Sequence, residues 1–269
     1  MNHPAPKHRA RKRFGQNFLT DDHVVARIVA AIDPQADDHV VEIGPGLGVL
    51  TQALLPHVAA MDAIELDRDI IPKLAQQCRD RGQLTIHACD ALKFDFATLA
   101  EDGRKLRIVG NLPYNISTPL MFHLLAKREL IADMHFMLQK EVVDRLAATP
   151  GGKEYGRLSV MMQYHCRVEA LFDVPPEAFT PAPKVTSAVV RLVPYREAPV
   201  AVADVELLDT VVTQAFSQRR KTLRNTLKPL LDAERMEQLG IDPTRRAETL
   251  SLAEFATLTN AVGDEDEAV

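Results

Sequence analysis

The sequence predicts an α/β protein with a parallel sheet, followed by a smaller, all-helical carboxyl-terminal domain. Short apolar runs alternate with amphipathic stretches between residues 39 and 138, and strand signals disappear after Asp204. Alternation of this kind favours βαβ units, whose strands pair in parallel. We therefore predict an α/β domain over residues 1–198, with an amino-terminal arm at 1–20, and a helical domain over 199–269.

The elements of the first domain follow from the period of their apolar residues. Asp21 and Asp22 precede an apolar run at helical spacing, which predicts an N-cap and a first helix. Five apolar runs then predict strands, at residues 39–43, 58–64, 84–88, 106–109 and 134–138. Helical spacing between them predicts helices at 47–56, 69–78 and 119–128. Two further strands flank a proline-rich loop and are expected to form an antiparallel edge pair, near 159–172 and 185–193.

The second domain is predicted to be helical because its apolar residues recur at helical spacing. They do so within residues 207–216, 223–231 and 255–258. The basic segment at 217–225 is expected to be a helix as well.

Composition narrows the class of protein. With 269 residues and 46% hydrophobic content, the chain is long enough to bury a full core. No apolar stretch reaches the roughly 18 residues that predict a membrane span, so we expect a soluble, cytoplasmic protein with no membrane partner. Cys78, Cys89 and Cys166 are widely separated and lack metal-ligand spacing, which predicts buried thiols and no metal.

Charge is unevenly distributed along the chain. The net charge is -5, yet basic residues cluster in the arm at 7–13 and again at 219–228, while residues 264–267 form an acidic tail. Local fields steer phosphate groups whatever the net charge. Each basic cluster is a candidate RNA contact that should weaken as salt rises, although a single basic run is more often a solvated face.

A glycine-rich turn, Gly44-Pro45-Gly46-Leu47-Gly48, follows the first predicted strand of the sheet. Glycines let the backbone approach a ligand closely, and Glu65 ends the next strand 21 residues after Gly44, where a carboxylate can bind ribose hydroxyls. These features fit either a nicotinamide dinucleotide or S-adenosylmethionine. The GxGxG spacing favours S-adenosylmethionine, as does Asp90 after the following strand, whose carboxylate can accept from the adenine amine.

The segment Asn111-Leu112-Pro113-Tyr114, after the fourth strand, is the most informative motif. The exocyclic amine of adenine is a poor nucleophile because its lone pair is delocalised into the ring. Acceptors on the Asn111 side chain and on the carbonyl beside Pro113 would draw the amine protons and free that lone pair. Stacking on Tyr114 would hold the base, and such stacking contributes roughly 1–3 kcal/mol. Asn111 and Tyr114 are therefore candidate catalytic residues, and positioning alone requires no metal.

Four motifs, in order, give the chain a resemblance over nearly its whole length. They lie at residues 13–19 (RFGQNFL), 42–48 (EIGPGLG), 111–118 (NLPYNIST) and 179–187 (FTPAPKVTS). Together they resemble the small-subunit (16S) ribosomal RNA adenine dimethyltransferases, the KsgA/RsmA family. The resemblance implies a Rossmann-like, class I S-adenosylmethionine-dependent methyltransferase sheet. It also implies transfer of two methyl groups to each of two adjacent adenosines in a hairpin loop near the 3′ end of the RNA.

The resemblance also implies roles for individual residues. Cofactor contacts fall on the turn glycine Gly46 and on Asn17, Leu19, Gly44, Glu65, Asp90 and Asn111. Phe179 falls on the aromatic residue that faces Tyr114 across the target base. From the residues alone, two positions stay open for its ring: the neighbouring prolines can hold the loop extended and present the ring, although a phenylalanine in a proline-rich loop is more often buried in the core. The candidate RNA contacts of the second domain are Arg219, Arg220, Lys221 and Arg224.

Other functions stay open from the sequence. A large-subunit (23S) rRNA adenine methyltransferase of the macrolide-resistance type has similar motifs. A ribosome-assembly factor that binds immature 30S subunits, with methylation secondary, is compatible with the same surface. The GxGxG spacing disfavours an oxidoreductase, and we expect the protein to act as a monomer on immature 30S subunits.

Overall fold

The computed structural model describes residues 17–113 and 115–266. Its strands, in chain order, are β1 (Phe18–Leu19), β2 (His39–Ile43), β3 (Ala60–Ile64), β4 (Gln83–His87), β5 (Leu106–Asn111), β6 (Ile131–Gln139), β7 (Cys166–Val174), β8 (Phe179–Thr180) and β9 (Ser187–Pro194). Its α-helices are α1 (Asp22–Ile32), α2 (Val49–Leu54), α3 (Ile71–Cys78), α4 (Ser117–Leu125), α5 (Lys140–Ala147), α6 (Arg157–His165), α7 (Val205–Ala215), α8 (Leu223–Thr226), α9 (Ala233–Gln238) and α10 (Leu252–Asp266). The predicted α/β class, with a helical carboxyl-terminal region, is confirmed.

Seven strands form one sheet in the order β4-β3-β2-β5-β6-β9-β7. The pairs β2/β3, β3/β4, β2/β5 and β5/β6 are parallel, whereas β9 runs antiparallel to β6. The chain moves outward from β2 to β3 and β4, then returns to the other side of β2 as β5. Such a reversal opens a crevice at the carboxyl ends of the strands, which is where open α/β sheets bind ligands.

The main core packs the first three helices against alternate residues of the strands. α1 begins after Asp21, whose side chain accepts hydrogen bonds from two backbone N–H groups of the first turn, as predicted. A cap of this kind contributes about 1 kcal/mol. Ile28 of α1, Leu54 of α2 and Leu74 of α3 are buried in one cluster with Val40 of β2. This packing fixes the helices that follow the ligand-binding ends of the strands.

The described chain divides into two compact units. Unit 1 comprises the described residues up to Val143 together with Glu169–Pro194, and unit 2 comprises Asp144–Val168 and the described residues from Tyr195 onward. The sequence-based boundary at 198/199 assigned residues 144–168 to the first domain. They belong with the second unit because α6 packs against α7 and α10.

The predicted strand at 159–172 is wrong over its first half. Residues Arg157–His165 form α6, and β7 begins only at Cys166. α6 is buried on almost every side, from Leu158 to Tyr164, so its apolar run shows no helical period. Periodicity cannot distinguish such a buried helix from a buried strand. β7 does lie at the sheet edge beside β9, as predicted.

The predicted basic helix at 217–225 is also wrong. Residues 217–221 form bends and turns, Thr222 is extended, and helical structure resumes only at Leu223–Thr226. The Ser217 hydroxyl donates to the Gln214 carbonyl at 2.6 Å, an interaction that competes with continuation of the helix.

Candidate functional site

The glycine turn connects β2 to α2 at the carboxyl edge of the sheet. Gly44, Gly46 and Gly48 have φ angles of 69°, 56° and 79°, a region that residues with a Cβ rarely adopt. A Cβ atom on Gly46 would lie 3.2 Å from the Phe18 ring, and one on Gly48 would lie 2.5 Å from a Leu74 methyl group. The backbone conformation and this close packing therefore favour glycine at these positions, and Gly44 and Gly46 line the crevice.

Glu65, directly after β3, is held against the glycine turn by two backbone hydrogen bonds. The N–H of Gly46 donates to Oε2 at 3.1 Å, and the N–H of Asp67 donates to Oε1 at 2.8 Å. The residue is 7% exposed, and burial raises its pKa against the opposing effect of these two hydrogen bonds. Each carboxylate oxygen has a second lone pair, so Glu65 can also accept from ligand hydroxyls.

Glu42 lies inside β2 among apolar neighbours and is 2% exposed. The Thr51 hydroxyl, from α2, donates to its Oε2 at 2.5 Å. Burial raises the pKa of Glu42 to about 7, the Thr51 hydrogen bond opposes the rise, and the nearby Glu65 carboxylate adds to it.

The turn that begins at Asn111 follows β5 and is anchored on both sides. The Asn111 amide nitrogen donates to the Asn17 carbonyl at 3.2 Å, which leaves the side-chain oxygen as the acceptor. Leu112 is buried, and its N–H donates to the Met137 carbonyl of β6 at 3.2 Å. Tyr114 lies outside the described residues, so its catalytic and base-stacking roles stay predictions.

Asp90 lies just beyond β4 and is half-buried. Its Oδ1 accepts from the N–H of Leu92 at 3.0 Å, and its carbonyl accepts from the N–H of Lys93 at 2.9 Å. The first bond orients the carboxylate at the end of the strand, and the second fixes the backbone of the turn that follows.

These groups surround one cavity of about 210 Å³. It is lined by every residue predicted to bind the cofactor, namely Asn17, Leu19, Gly44, Gly46, Glu65, Asp90 and Asn111. Four carboxylate side chains contribute to the lining, and in the described part of the chain no lysine or arginine does. Much of the remaining wall is apolar, as is usual for small-molecule sites. The cavity therefore fits a partly apolar ligand that carries positive charge.

Glu42, His135 and Leu66 are among the cavity residues that were not assigned to it from the sequence. Glu42 and His135 are titratable residues within otherwise apolar strands, and that pattern was the available signal, because burying a polar group is costly without a partner. His135, on β6, is 3% exposed, and burial lowers its pKa to about 4, so the ring is neutral at pH 7. Leu66, beside Glu65, lines the cavity although it is 52% exposed.

Phe179 is buried, which is the more frequent of the two positions that its proline-rich loop left open. It lies in β8, pairs with Leu19 of β1, and is 4% exposed within the main core cluster. Pairing of β8 with β1 places this residue in the core, and it does not contribute to the cavity lining. Its role beside the target base stays a prediction.

The predicted RNA contacts of the carboxyl-terminal region lie on a turn of unit 2 and on α8, which follows it. Arg220, Lys221 and Arg224 are exposed there. The Arg219 guanidinium donates to the Lys153 carbonyl and lies 3.4 Å from the Glu248 carboxylate. Arg219 is therefore partly committed to contacts within unit 2.

Two other segments of unit 2 meet this basic turn. The N–H of Leu223 donates to the Arg245 carbonyl at 2.8 Å, and the N–H of Gly151 donates to the Glu248 carbonyl at 2.7 Å. The exposed side chains of Lys153 and Arg246 are thereby brought to the same part of unit 2. We call Lys153, Arg219, Arg220, Lys221, Arg224 and Arg246 the basic surface.

Over the described residues, no group of three or more His, Cys, Asp or Glu side chains is arranged to hold a metal ion. Cys78 and Cys166 are buried and form no disulfide, as predicted, whereas Cys89 is partly exposed and lines the cavity. Among the helices that the structure describes, none has the length and apolar character needed to cross a membrane.

Comparison with known proteins gives a full-length match. The family model described as ribosomal RNA adenine dimethylase matches residues 7–264. The chain is 59% identical over 258 residues to Ribosomal RNA small subunit methyltransferase A of Pseudomonas aeruginosa, with 96% of each chain covered.

Two solved structures share the architecture. A dimethyladenosine transferase from Plasmodium falciparum has a TM-score of 0.79 and 26% identity, covering 91% of this chain and 98% of its own. The 23S rRNA methyltransferase ErmE has a TM-score of 0.72 and 22% identity, covering 92% and 100% respectively. At that identity, the second similarity shows a common fold alone.

Proposed function

Because the chain belongs to the ribosomal RNA adenine dimethylase family, we propose that it dimethylates the N6 amines of two adjacent adenosines in the 3′-terminal hairpin loop of 16S rRNA. The observation that carries the proposal is the placement of the glycine turn, Glu65, Asp90 and Asn111 around one cavity. The chain is 59% identical to a relative whose name specifies the small ribosomal subunit. This similarity supports 16S rRNA, and not 23S rRNA, as the proposed substrate.

S-adenosyl-L-methionine is the cofactor, and when bound it supplies an electrophilic methyl group on a sulfonium. Glu65 is proposed to accept hydrogen bonds from the ribose hydroxyls, and Asp90 to accept from the adenine amine. The open backbone at Gly44 and Gly46 permits close approach of the ligand. We assign Asn17 and Leu19 to the part of the cofactor cavity that β1 and the residue before it form. This cavity fits the cofactor because it combines carboxylates with apolar surface and lacks a described cation.

The turn after β5 is assigned to the target amine. Asn111 Oδ1 and the carbonyl beside Pro113 accept its two protons, which localises the nitrogen lone pair and directs it toward the methyl group. Their anchored positions support this role, since holding reactants in line accounts for a large part of catalysis in such transfers. Tyr114 is assigned to stack on the flipped base, with Phe179 as its proposed counterpart.

The basic surface of unit 2 is proposed to bind phosphates of the ribosomal RNA, together with the amino-terminal arm at 7–13, which lies outside the described residues. Exposed cations gathered from three segments support this assignment, since phosphate contacts provide most of the affinity for nucleic acids. The helical second domain of the sequence prediction thus becomes a proposed RNA-binding unit that also includes 144–168.

The proposed setting is an immature 30S subunit in the cytoplasm, with the enzyme acting as a monomer, without a metal, during subunit biogenesis. A role in assembly that depends on binding more than on methylation uses the same surface, so the two roles must be separated by experiment.

The substrate assignment is tested with labelled S-adenosylmethionine and under-methylated 30S subunits. Digestion of the RNA should yield labelled N6,N6-dimethyladenosine from the 3′-terminal hairpin. Label found only in 23S rRNA would refute the assignment. Full 30S binding without any label would identify the assembly factor instead.

The RNA surface is tested with the double variant Arg220→Gln/Lys221→Gln. Binding to 30S subunits should weaken, and the slope of log affinity against log salt should fall by about one for each lost phosphate contact. Arg79→Gln is the control, because Arg79 is exposed, lies between α3 and the amino end of β4, and does not belong to the basic surface. Equal effects of the double variant and the control would refute the assignment.

A further inference from the structure

Glu42 is an unusual feature of the cavity because it is both deeply buried and ionisable. It lies on the central strand β2, two residues before Gly44, and is 2% exposed. The hydroxyl group of Thr51, on α2, donates a hydrogen bond to one of the carboxylate oxygens of Glu42 at 2.5 Å. The side chain nevertheless lines the cavity, so a bound ligand comes within its reach.

The charged and titratable groups around Glu42 offer it no compensating cation. Glu65 on β3 is a second carboxyl group, and its charge opposes ionisation of Glu42. Cys78, from α3, has a pKa raised to about 11 by burial and by Glu42, so it stays a neutral thiol. His135, from β6, has a pKa lowered to about 4 by burial and is neutral as well. Among the described residues, Glu42 can therefore gain an opposite charge in the cavity only from a ligand.

S-adenosylmethionine has that charge. It carries a sulfonium and an ammonium against one carboxylate, for a net charge of +1. We propose that Glu42 is the buried counter-charge of the cofactor and that cofactor binding displaces a proton from the Glu42 carboxyl group to solvent. The O–H bond of the carboxyl group breaks, its electron pair remains as the carboxylate, and no redox change occurs. This inference rests on the cofactor assignment within the proposed function.

The pH dependence of cofactor affinity follows from the linkage between cofactor binding and ionisation of Glu42. With a pKa of about 7 in the free protein, about half of the Glu42 side chains are protonated at pH 7. A cation in a cavity of low dielectric favours the carboxylate strongly, so binding selects the ionised form. Affinity for S-adenosylmethionine should then be about fivefold lower at pH 6 than at pH 7, a range that lies below the ordinary pKa of the ligand's own α-amino group, about 7.7–8.0. Cys78 and His135 do not titrate in this range, whereas Glu65 contributes in proportion to its own raised pKa.

Isothermal titration calorimetry of the full chain with S-adenosylmethionine measures this proton directly. At pH 7, heats in phosphate and in Tris, which differ in ionisation enthalpy, should report release of about half a proton from Glu42. Glu42→Gln keeps the shape and the acceptor for Thr51, and it should lose this release and most of the pH dependence. Wild-type binding without proton release, or equal release by Glu42→Gln, would overturn the inference. Absence of any cofactor binding would instead refute the cofactor assignment.

Variants of Thr51 provide a test that does not alter Glu42. Thr51→Val removes the hydrogen bond that favours the carboxylate, so the midpoint of the pH dependence should move to higher pH. Thr51→Ser keeps the hydroxyl and should retain the wild-type midpoint, which makes it the matched control. An unchanged midpoint in a folded Thr51→Val protein would count against Glu42.

S-adenosylhomocysteine lacks the sulfonium, so comparing the two ligands identifies the charged group that interacts with Glu42. Proton release on binding of both ligands would identify the ammonium, and proton release with S-adenosylmethionine alone would identify the sulfonium.

Discussion

Gly110→Ala should disable the enzyme by separating two neighbouring strands at the site. A Cβ atom on Gly110 of β5 would lie 2.5 Å from the carbonyl oxygen of Ile43 on β2. Ordinary contact begins near 3.4 Å, so the strands would have to move apart by about 0.9 Å. The obstructing atom belongs to the backbone of a parallel ladder, and rotation of a side chain cannot relieve the clash.

The displacement would fall between the two halves of the site. Asn111 follows Gly110 on one strand, and Gly44 follows Ile43 on the other, so the base-binding turn would shift relative to the cofactor turn. Misplacement by about 1 Å can cost about a hundredfold in rate, and overpacking typically costs about 1–3 kcal/mol in stability. We therefore expect about a hundredfold lower rate of methyl transfer together with a lower melting temperature.

Single-turnover methylation of 30S subunits at saturating S-adenosylmethionine measures the rate, and thermal unfolding measures the stability. Gly156→Ala is the control, because Gly156 has an extended φ of -167° and no atom within 4 Å of an added Cβ. A Gly110→Ala protein with the wild-type rate and melting temperature would refute the reasoning.

Three further predictions concern single side chains. Asn111→Ala should abolish methyl transfer and leave 30S binding intact; equal loss of both would mean that the turn is only structural. Phe179→Ala should lower the free energy of unfolding by about 3–5 kcal/mol in denaturant titrations, with a smaller loss for Phe179→Leu, and a loss below about 1 kcal/mol would contradict its core position. Burial raises the pKa of Asp62, but hydrogen bonds with His39 and His87 outweigh this effect and lower it overall. A lowered carboxyl pKa stabilises the fold above the unfolded-state value of about 3.9, and that contribution is lost as the pH falls through the folded-state pKa. Asp62→Asn should therefore destabilise the protein at pH 6, measured by urea unfolding, with a difference that shrinks below about pH 4; a difference that stays constant down to pH 2 would contradict this account.

The composition of the cofactor cavity could be predicted from the sequence because parallel strands place their carboxyl ends at one edge. The glycine turn, Glu65, Asp90 and Asn111 each follow a strand, so their convergence required only the strand assignments. Burial of Phe179 depends instead on pairing between β1 and β8, which are about 160 residues apart and individually only two residues long. No local pattern encodes such a pairing.

Part of the basic surface could not be predicted from the sequence either. Lys153 and Arg246 lie outside the basic turn in sequence, and their own segments carry only isolated basic residues or the pair Arg245-Arg246. These two residues join the basic surface only because backbone hydrogen bonds within unit 2, such as that from Leu223 to Arg245, bring their segments to it. Helix α6 was missed for a related reason, since burial on all sides removed the period by which helices are recognised.

The helical unit is assembled from two stretches of chain, so the polypeptide passes between the units three times, at 143/144, 168/169 and 194/195. A cut after Pro194 would deprive α6 of α7 and α10, the helices that it packs against, and would expose its buried side chains. A fragment that begins at Tyr195 would lack α6 altogether. Unit 2 can therefore be exchanged between relatives only as a two-piece transplant, in which residues 144–168 and the carboxyl-terminal segment come from the same parent.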